Sequence, residues 1–337
     1  MLPLTISAEY GLVDQEKFFN RKVASSNLDG YYLLYNGEFA YNKSYSKNYP
    51  WGTAKRLDMY DKGVLSTLYI CFKPNSTINS DYLKHYFETQ KWYNQISEIA
   101  VEGARNHGLL NIAVNDFFDT KHYFPILDEQ KKIAIFLNLL DKRINTQKKI
   151  IREKTILKKE ICNKLMSSLT NFIKLKEIAK IYQPETINTN LFCNDGEFYV
   201  YGANGIIGKY SKYNHLNSQI CITCRGATCG NVHLTHEKSW ITGNAMIINV
   251  DDNQKINKYF LFYFLSNFNF SSIKSGSGQP QITRKPVENI LIPNISFNEQ
   301  NKISVVLKTL DDDINNEKKI LQLYEKQKQY LFNKLFI

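Results

Sequence analysis

The densest group of chemically capable side chains in this 337-residue sequence is Cys221-Ile-Thr-Cys224-Arg-Gly-Ala-Thr-Cys229, followed by His233 and His236. A Cys-x-x-Cys pair with a third cysteine and nearby imidazoles can supply the ligands of a tetrahedral zinc ion. The surrounding residues, ICITCRGATCGNV, read instead as a strand entering a glycine turn, which points Cys221 and Cys224 to opposite faces. No second Cys-x-x-Cys completes a ligand set, so buried free thiols and no metal are expected. Cys71, Cys162 and Cys193 are unevenly spread in a chain too large to need disulfide staples.

Catalytic patterns are sparse. His85, His107, His122 and His215 are scattered, and neither GxSxG nor HExxH occurs. The NPPY or DPPY run of an adenine methyltransferase and the acidic pattern of a nuclease do not stand out either. The chain reads as one that recognises, and no cofactor is expected in it.

Charge and ring content say what it could recognise. The formal charge is +11, and 22 Tyr and 20 Phe help make 13% of residues aromatic. Cations mixed with amphipathic rings suit a polyanion, nucleic acid first and an anionic membrane second. The longest apolar run, Tyr259–Leu265, is far short of the ~20 residues a membrane helix needs. The N-terminal MLPLTISAEYG lacks the basic start of a signal peptide. A cytoplasmic protein without a membrane partner is expected.

Three loops concentrate recognition chemistry. Residues 41–56 (YNKSYSKNYPWGTAKR) interleave Lys43, Lys47, Lys55 and Arg56 with Tyr41, Tyr45, Tyr49 and Trp51. Such a loop can hold phosphates, stack on bases and read base edges through Ser and Asn, or it can simply be a solvated surface. Residues 201–210 (YGANGIIGKY) and 275–285 (SGSGQPQITRK) are glycine-rich, yet neither is a Walker loop or a clean GxGxxG. The first of these reads either as a hairpin turn or as a loop whose small residues let a phosphate backbone approach.

The elements that position these loops are set by an internal duplication. Aligned at an offset of 170, residues 127–166 and 297–336 are identical at sixteen of forty positions. Each copy follows a proline, Pro125 or Pro293, and offers Asp128 or Asn298 as an N-cap with Glu in the first turn. Without Gly or Pro for about forty residues, each can run as one helix of roughly 60 Å at about 1.5 Å per residue. A seam with alternating steps of four and three passes through Ile133, Leu137, Leu140 and Ile144 in the first copy. In the second it passes through Ile303, Leu307, Leu310 and Ile314. Two helices paired antiparallel with each other is one reading; ordinary helices covering globular cores is the other. Before each helix lies a segment of short β-prone runs, such as Leu68–Phe72, Phe198–Tyr201, Gln219–Thr223 and Ala245–Val250, with one aromatic helical stretch, DYLKHYFET or KYFLFYFLS. The order is globule, long helix, globule, long helix.

This pattern resembles the specificity subunits of type I restriction–modification systems over essentially the whole chain. The residues that carry the resemblance are the helix openings LDEQKKI and FNEQNKI, their NKL endings, SGSGQPQIT leading through Arg284, ITCRGATCGNV, and the segments LPLTISAEYGLVDQ and YPWGTAKRL. The resemblance implies two α/β (α+β) target-recognition domains, residues 1–126 and 169–295. They would be separated by a coiled-coil spacer of antiparallel helices, residues 127–168 and 296–337, with pseudo-two-fold symmetry. It also implies double-stranded DNA as ligand, two modification subunits using S-adenosylmethionine, and two restriction subunits using ATP and Mg, with no chemistry in this chain. Dissimilar globules imply an asymmetric bipartite target. The residues expected at DNA are Lys43, Ser44, Tyr45, Trp51, Lys55 and Arg56 in the first domain. In the second they are Asn204, Lys209, Lys212, Arg225, Gln279, Gln281, Thr283 and Arg284.

One departure from the family pattern stands out. The second globule opens with FIKLKEIAKIYQPETINTN (172–190), whereas the first begins directly at LPLTISAEYG. The first domain is therefore expected to be truncated, to have a misassigned start, or to be completed by another chain, with weakened recognition of its half-site or lower stability. The competing function is a coiled-coil scaffold that binds nucleic acid without sequence choice.

Overall fold

A computed structural model describes residues 1–25, 27–100, 108–193, 195–276 and 278–336. The chain is α+β and divides into two compact units, Met1–Lys148 with Ile320–Ile337, and Lys149–Lys319. His107 lies outside the described residues.

In the first unit, a sheet of three strands runs Thr53–Arg56, Phe39–Asn42, Ile70–Phe72, all antiparallel. Two further strand pairs, Leu4–Ser7 with Gly11–Asp14 and Tyr32–Tyr35 with Lys62–Leu65, enclose a separate aliphatic core around Leu4, Leu12, Leu34 and Leu65. The larger core is aromatic. Phe39 and Tyr41 from the central strand meet Tyr82 and Tyr86 from the helix Ser80–Tyr86, together with Trp92 and Phe117. Burying each large ring is worth about 1.5–3 kcal/mol.

In the second unit, the expected strands form at Phe198–Gly202, Ile220–Thr223 and Ala245–Asn249. A four-stranded sheet has the order Val232–Leu234, Ile220–Thr223, Ala245–Asn249, Lys180–Tyr182. A three-stranded sheet sets the hairpin Phe198–Gly202/Gly205–Tyr210 beside Trp240–Ile241. The entry segment of this globule supplies Phe172–Lys174, which pairs with Leu291–Pro293. Its aromatic helix, Lys258–Asn267, buries Phe260, Leu261 and Leu265 against the sheet.

The duplicated segments are helices Leu127–Ser167 and Phe297–Leu335. The cap of the second lies two residues earlier than the sequence suggests. Ser296, and not Asn298, closes its start: Ser296 Oγ accepts from Glu299 N–H at 3.3 Å, and the Glu299 carboxylate accepts from Ser296 N–H at 3.1 Å and Oγ–H at 2.7 Å. This is the reciprocal box that Ser-x-x-Glu makes possible. In the first copy the corresponding position is Ile126, and Asp128 lies inside the helix.

Within each unit the two helical segments lie antiparallel. In the first, Lys328 Nζ meets Asp141 at 2.6 Å, Lys148 meets Glu325 at 3.3 Å, and Arg143 lies over the Tyr324 ring. In the second, Lys154 meets Glu317 at 2.6 Å and Asp313 at 2.7 Å, and Lys158 meets Asp311. The pairs Asp141–Lys328 and Asp311–Lys158 are the same contact at the offset of 170. Continued beyond Ile314 by the same steps of four and three, the seam reaches Glu317 and Lys328, and both make cross-helix ion pairs. Its first turns serve the globular cores as well: Ile133 and Leu137 pack on the aromatic core of the first unit, while Leu140 and Ile144 are buried farther along the helix. Leu307 packs with Cys162 and Tyr263, with half-buried Ile303 and Leu310 alongside, and Ile314 is buried. The first turns of each helix thus cover a globular core, and farther along cross-helix ion pairs join the two segments within each unit.

Candidate nucleic-acid interface

Strand Ile220–Thr223 is buried on both faces and ends where the chain must turn out of the sheet. Gly226 (φ 83°) and Gly230 (φ 92°) supply left-handed backbone that a side chain would strain. The turn is pinned to the glycine-rich loop before Arg284. Ile282 N–H donates to Cys224 O at 2.9 Å, Gly226 N–H donates to Pro280 O at 3.2 Å, and Arg225 and Gln281 form a bridge. The hairpin turn joins from the other side, with Asn231 Nδ2 donating to Asn204 Oδ1 at 3.3 Å and Thr223 Oγ1 donating to Ala203 O. Three loops distant in sequence thus meet in one cluster that carries Asn204, Arg225, Gln279 and Gln281. Among the described residues no carboxylate pairs with the exposed Arg225, so its fork of donors is free to meet a phosphate or a guanine edge.

The same clasp recurs in the first unit. Strand Phe39–Asn42 leaves its sheet at Lys43; Leu110 N–H donates to Lys43 O at 2.9 Å, Tyr45 N–H donates to Gly108 O at 2.9 Å, and Ser44 and Leu109 form a bridge. These two main-chain bonds and the bridge match those between the turn and the glycine-rich loop of the second unit, with Ser44 in the place of Arg225. Ser44 and Tyr45 are exposed, and the half-buried Lys43 reaches Ile112 O at 3.4 Å.

Other expected contact residues fall elsewhere. Arg56 is committed to the fold, with Nε donating to Asp58 at 2.6 Å and Nη1 to Asp81 at 2.7 Å, and its side chain is only 13% exposed. Trp51 packs against the aromatic core, and its carbonyl accepts from Tyr41 Oη at 2.8 Å. Lys55 is half-buried, and burial pushes its ammonium below the ordinary value despite the nearby Glu88. The Arg56 charge is therefore committed to carboxylates of the fold although its strand lies at the edge of its sheet. In the second unit, Lys209 lies over the Tyr199 ring on the hairpin, Lys212 is exposed beyond it, Thr283 precedes the short helix Arg284–Glu288, and Arg284 pairs with Glu288 at 2.6 Å. These four lie outside the hydrogen bonds of the clasp.

The cysteines follow strand geometry. Cys221 belongs to the core around Tyr201 and Ile247, and Cys224 to the opposite core around Ile222 and Phe260. Burial pushes their thiols up to about 12 and about 11, and the two sulfurs belong to separate cores and not to one ligand set. Among the described residues, His85, Glu88 and Asp141 come within reach of one ion, and the Lys328 ammonium already bonds both carboxylates, at 2.8 and 2.6 Å.

Sequence reading missed Asn231 and the Gly108–Leu110 partner of the first clasp. Only the glycines flanking them hinted at turns, and nothing local says which distant loop a turn will meet.

Residues 168–325 match the family model for the type I restriction modification DNA specificity domain. The type I restriction enzyme MjaVIII specificity subunit of Methanocaldococcus jannaschii is 24% identical over 81% of this chain and 73% of its own. A putative type I specificity subunit of Mycoplasma pneumoniae is 28% identical over 48% of this chain and 56% of its own. A crystal structure of a type I restriction-modification system S subunit from M. genitalium superposes with a TM-score of 0.58 at 20% identity, covering 94% of this chain and 87% of that one. A structure described under complex assembly and conformational transition of the type I R-M system gives 0.57 at 14% identity, over 93% and 84%. No described helix is long and apolar enough to cross a membrane. Residues 168–325 thus resemble the type I restriction modification DNA specificity domain, and the relatives and solved folds to which the whole chain is similar are described as type I specificity subunits.

Proposed function

We propose that this chain reads a bipartite, asymmetric DNA site through two recognition domains, residues 1–126 and 169–295, and directs the methyltransferase and restriction subunits of a type I complex to it. The observation that carries the reading is the clasp built twice, once per unit, on dissimilar side chains: Lys43, Ser44 and Tyr45 in one, Arg225, Gln279 and Gln281 in the other. The same scaffold with different edges is what two unlike half-sites require, since base-edge contacts set sequence while phosphate contacts set register. The long helices, at 41 and 39 residues, act as the spacer between the half-sites.

The chemistry belongs to the partners in this reading. Two modification subunits would supply S-adenosylmethionine-dependent methylation, and two restriction subunits ATP- and Mg-dependent translocation and cleavage, in the cytoplasm. Methylome sequencing of a host expressing the chain with its modification subunits is expected to return one motif of two different short blocks separated by a fixed gap. A footprint of the complex should show two protected blocks around an unprotected centre. Uniform protection, or methylation without a motif, would instead indicate a scaffold bound through phosphates alone, whose affinity falls steeply with salt.

A further inference from the structure

We infer that Gln130 and Gln300 are twin positioning residues, each locking the start of a long helix to the turn that opens the aromatic helix of its own unit. The inference rests on the two-part DNA reader proposed above. Both side chains are buried, 2% and 1% exposed. Gln130 Oε1 accepts from Asn79 N–H at 2.8 Å, while its Nε2 donates to Thr77 O at 3.1 Å and Pro125 O at 2.8 Å. Gln300 repeats the set: Oε1 accepts from Asn257 N–H at 2.8 Å, and Nε2 donates to Lys255 O at 3.1 Å and Ile295 O at 3.0 Å.

The partners fix the chemistry. Asn79 and Asn257 are the N-caps of the two aromatic helices, their Oδ1 atoms accepting from Tyr82 and Phe260 N–H at 2.9 Å. A cap side chain satisfies a donor inside the helix but cannot reach its own N–H, which the glutamine takes. One main-chain donor and two main-chain carbonyls demand a planar group with one acceptor and two donors, which also settles the orientation of each amide. Glutamate would lose both donors and bury a charge; asparagine is one methylene short. The carbonyls of Pro125 and Ile295 belong to the segments that lead into the long helices, so each carboxamide ties three backbone points into one register. This explains why the glutamine recurs in both copies although the next residue differs, Lys131 against Asn301.

A mere fold stabiliser and a positioning residue differ in one readout, the preference for gap length. Once methylome sequencing has identified the target, the complex with modification subunits is assayed on DNA carrying the native gap and gaps one base pair shorter or longer. Q130M and Q300M, each removing three buried hydrogen bonds, are expected to lower the preference for the native gap by at least about tenfold. The bases read within each half-site should stay the same. A ratio taken on one preparation is insensitive to the folded fraction, and unchanged gap preference in the folded variants overturns the proposal. Should the variants not fold, hydrogen exchange on the unaltered chain decides: Asn79 and Asn257 amides as slow as the core strands support the lock, and amides exchanging as free ones overturn it. Absence of any motif from the unaltered complex would sink the DNA reader itself, while the exchange rates still report on the lock.

Discussion

Two arginines near glycines, Arg56 four residues after Gly52 and Arg225 directly before Gly226, look alike in the sequence and differ in use. Arg56 is held by Asp58 and Asp81, whereas Arg225 stands exposed in the clasp without a carboxylate partner among the described residues. On the proposed reading, R225A should cost about 1–3 kcal/mol of specific binding and relax base choice at one position, without loss of stability. R56A should leave intrinsic base choice intact and lower the melting temperature, since it strips Asp58 and Asp81 of a shared partner. Competition binding against singly substituted targets, with calorimetry on the same proteins, checks both; a shifted motif with R56A would contradict the assignment. Residue type alone made both good candidates. What separated them was whether carboxylates of the fold meet the guanidinium, a property of partners as far as 25 residues away.

At the scale of elements, much was legible because it is local. Alternating β-prone runs gave strands at Phe198–Gly202 and Ala245–Asn249, the aromatic stretches gave helices Ser80–Tyr86 and Lys258–Asn267, and the duplication gave two long helices. The clasp was not legible, because main-chain bonds such as Leu110 N–H to Lys43 O depend on backbone meeting and leave no residue signature. The cross-helix charges were half legible: steps of four and three carried past Ile314 fall on Glu317 and Lys328, and only their partners show why charges stand there. Lys158 and Asp311 form such a pair, with side chains 27% and 29% exposed. D311K should destabilise by opposing Lys158 with a like charge, and K158E combined with D311K should restore most of the loss. Urea unfolding of the two singles and the double tests it; a double as unstable as the sum of the singles would mean that the pair has no coupling.

For the whole molecule, acid stability sums over both units. His85 and His122 in the first unit, and His215 and His233 in the second, are all held below the ordinary value of 6.5, in each case first by burial. Folded, these imidazoles resist the proton that the unfolded chain accepts near pH 6.5, so between that value and the lower folded values the unfolded state binds more protons. Stability therefore rises with pH through this window and is fully present above it. Carboxylates add a separate loss farther down. Burial acts to raise Asp58, Glu88 and Asp251, but Lys84 and Arg56, Lys328, and Lys258 respectively outweigh it and hold them below their ordinary values. Their contribution disappears only below roughly pH 4. Melting temperature should thus be flat from pH 8 to 7, fall from pH 6.5 to 5.5 with net proton uptake on unfolding, and fall again in stronger acid. Scanning calorimetry in buffers of different ionisation enthalpy measures both quantities. A melting temperature that rises on acidification to pH 5.5, or unfolding there without proton uptake, would show that these buried imidazoles do not govern the transition.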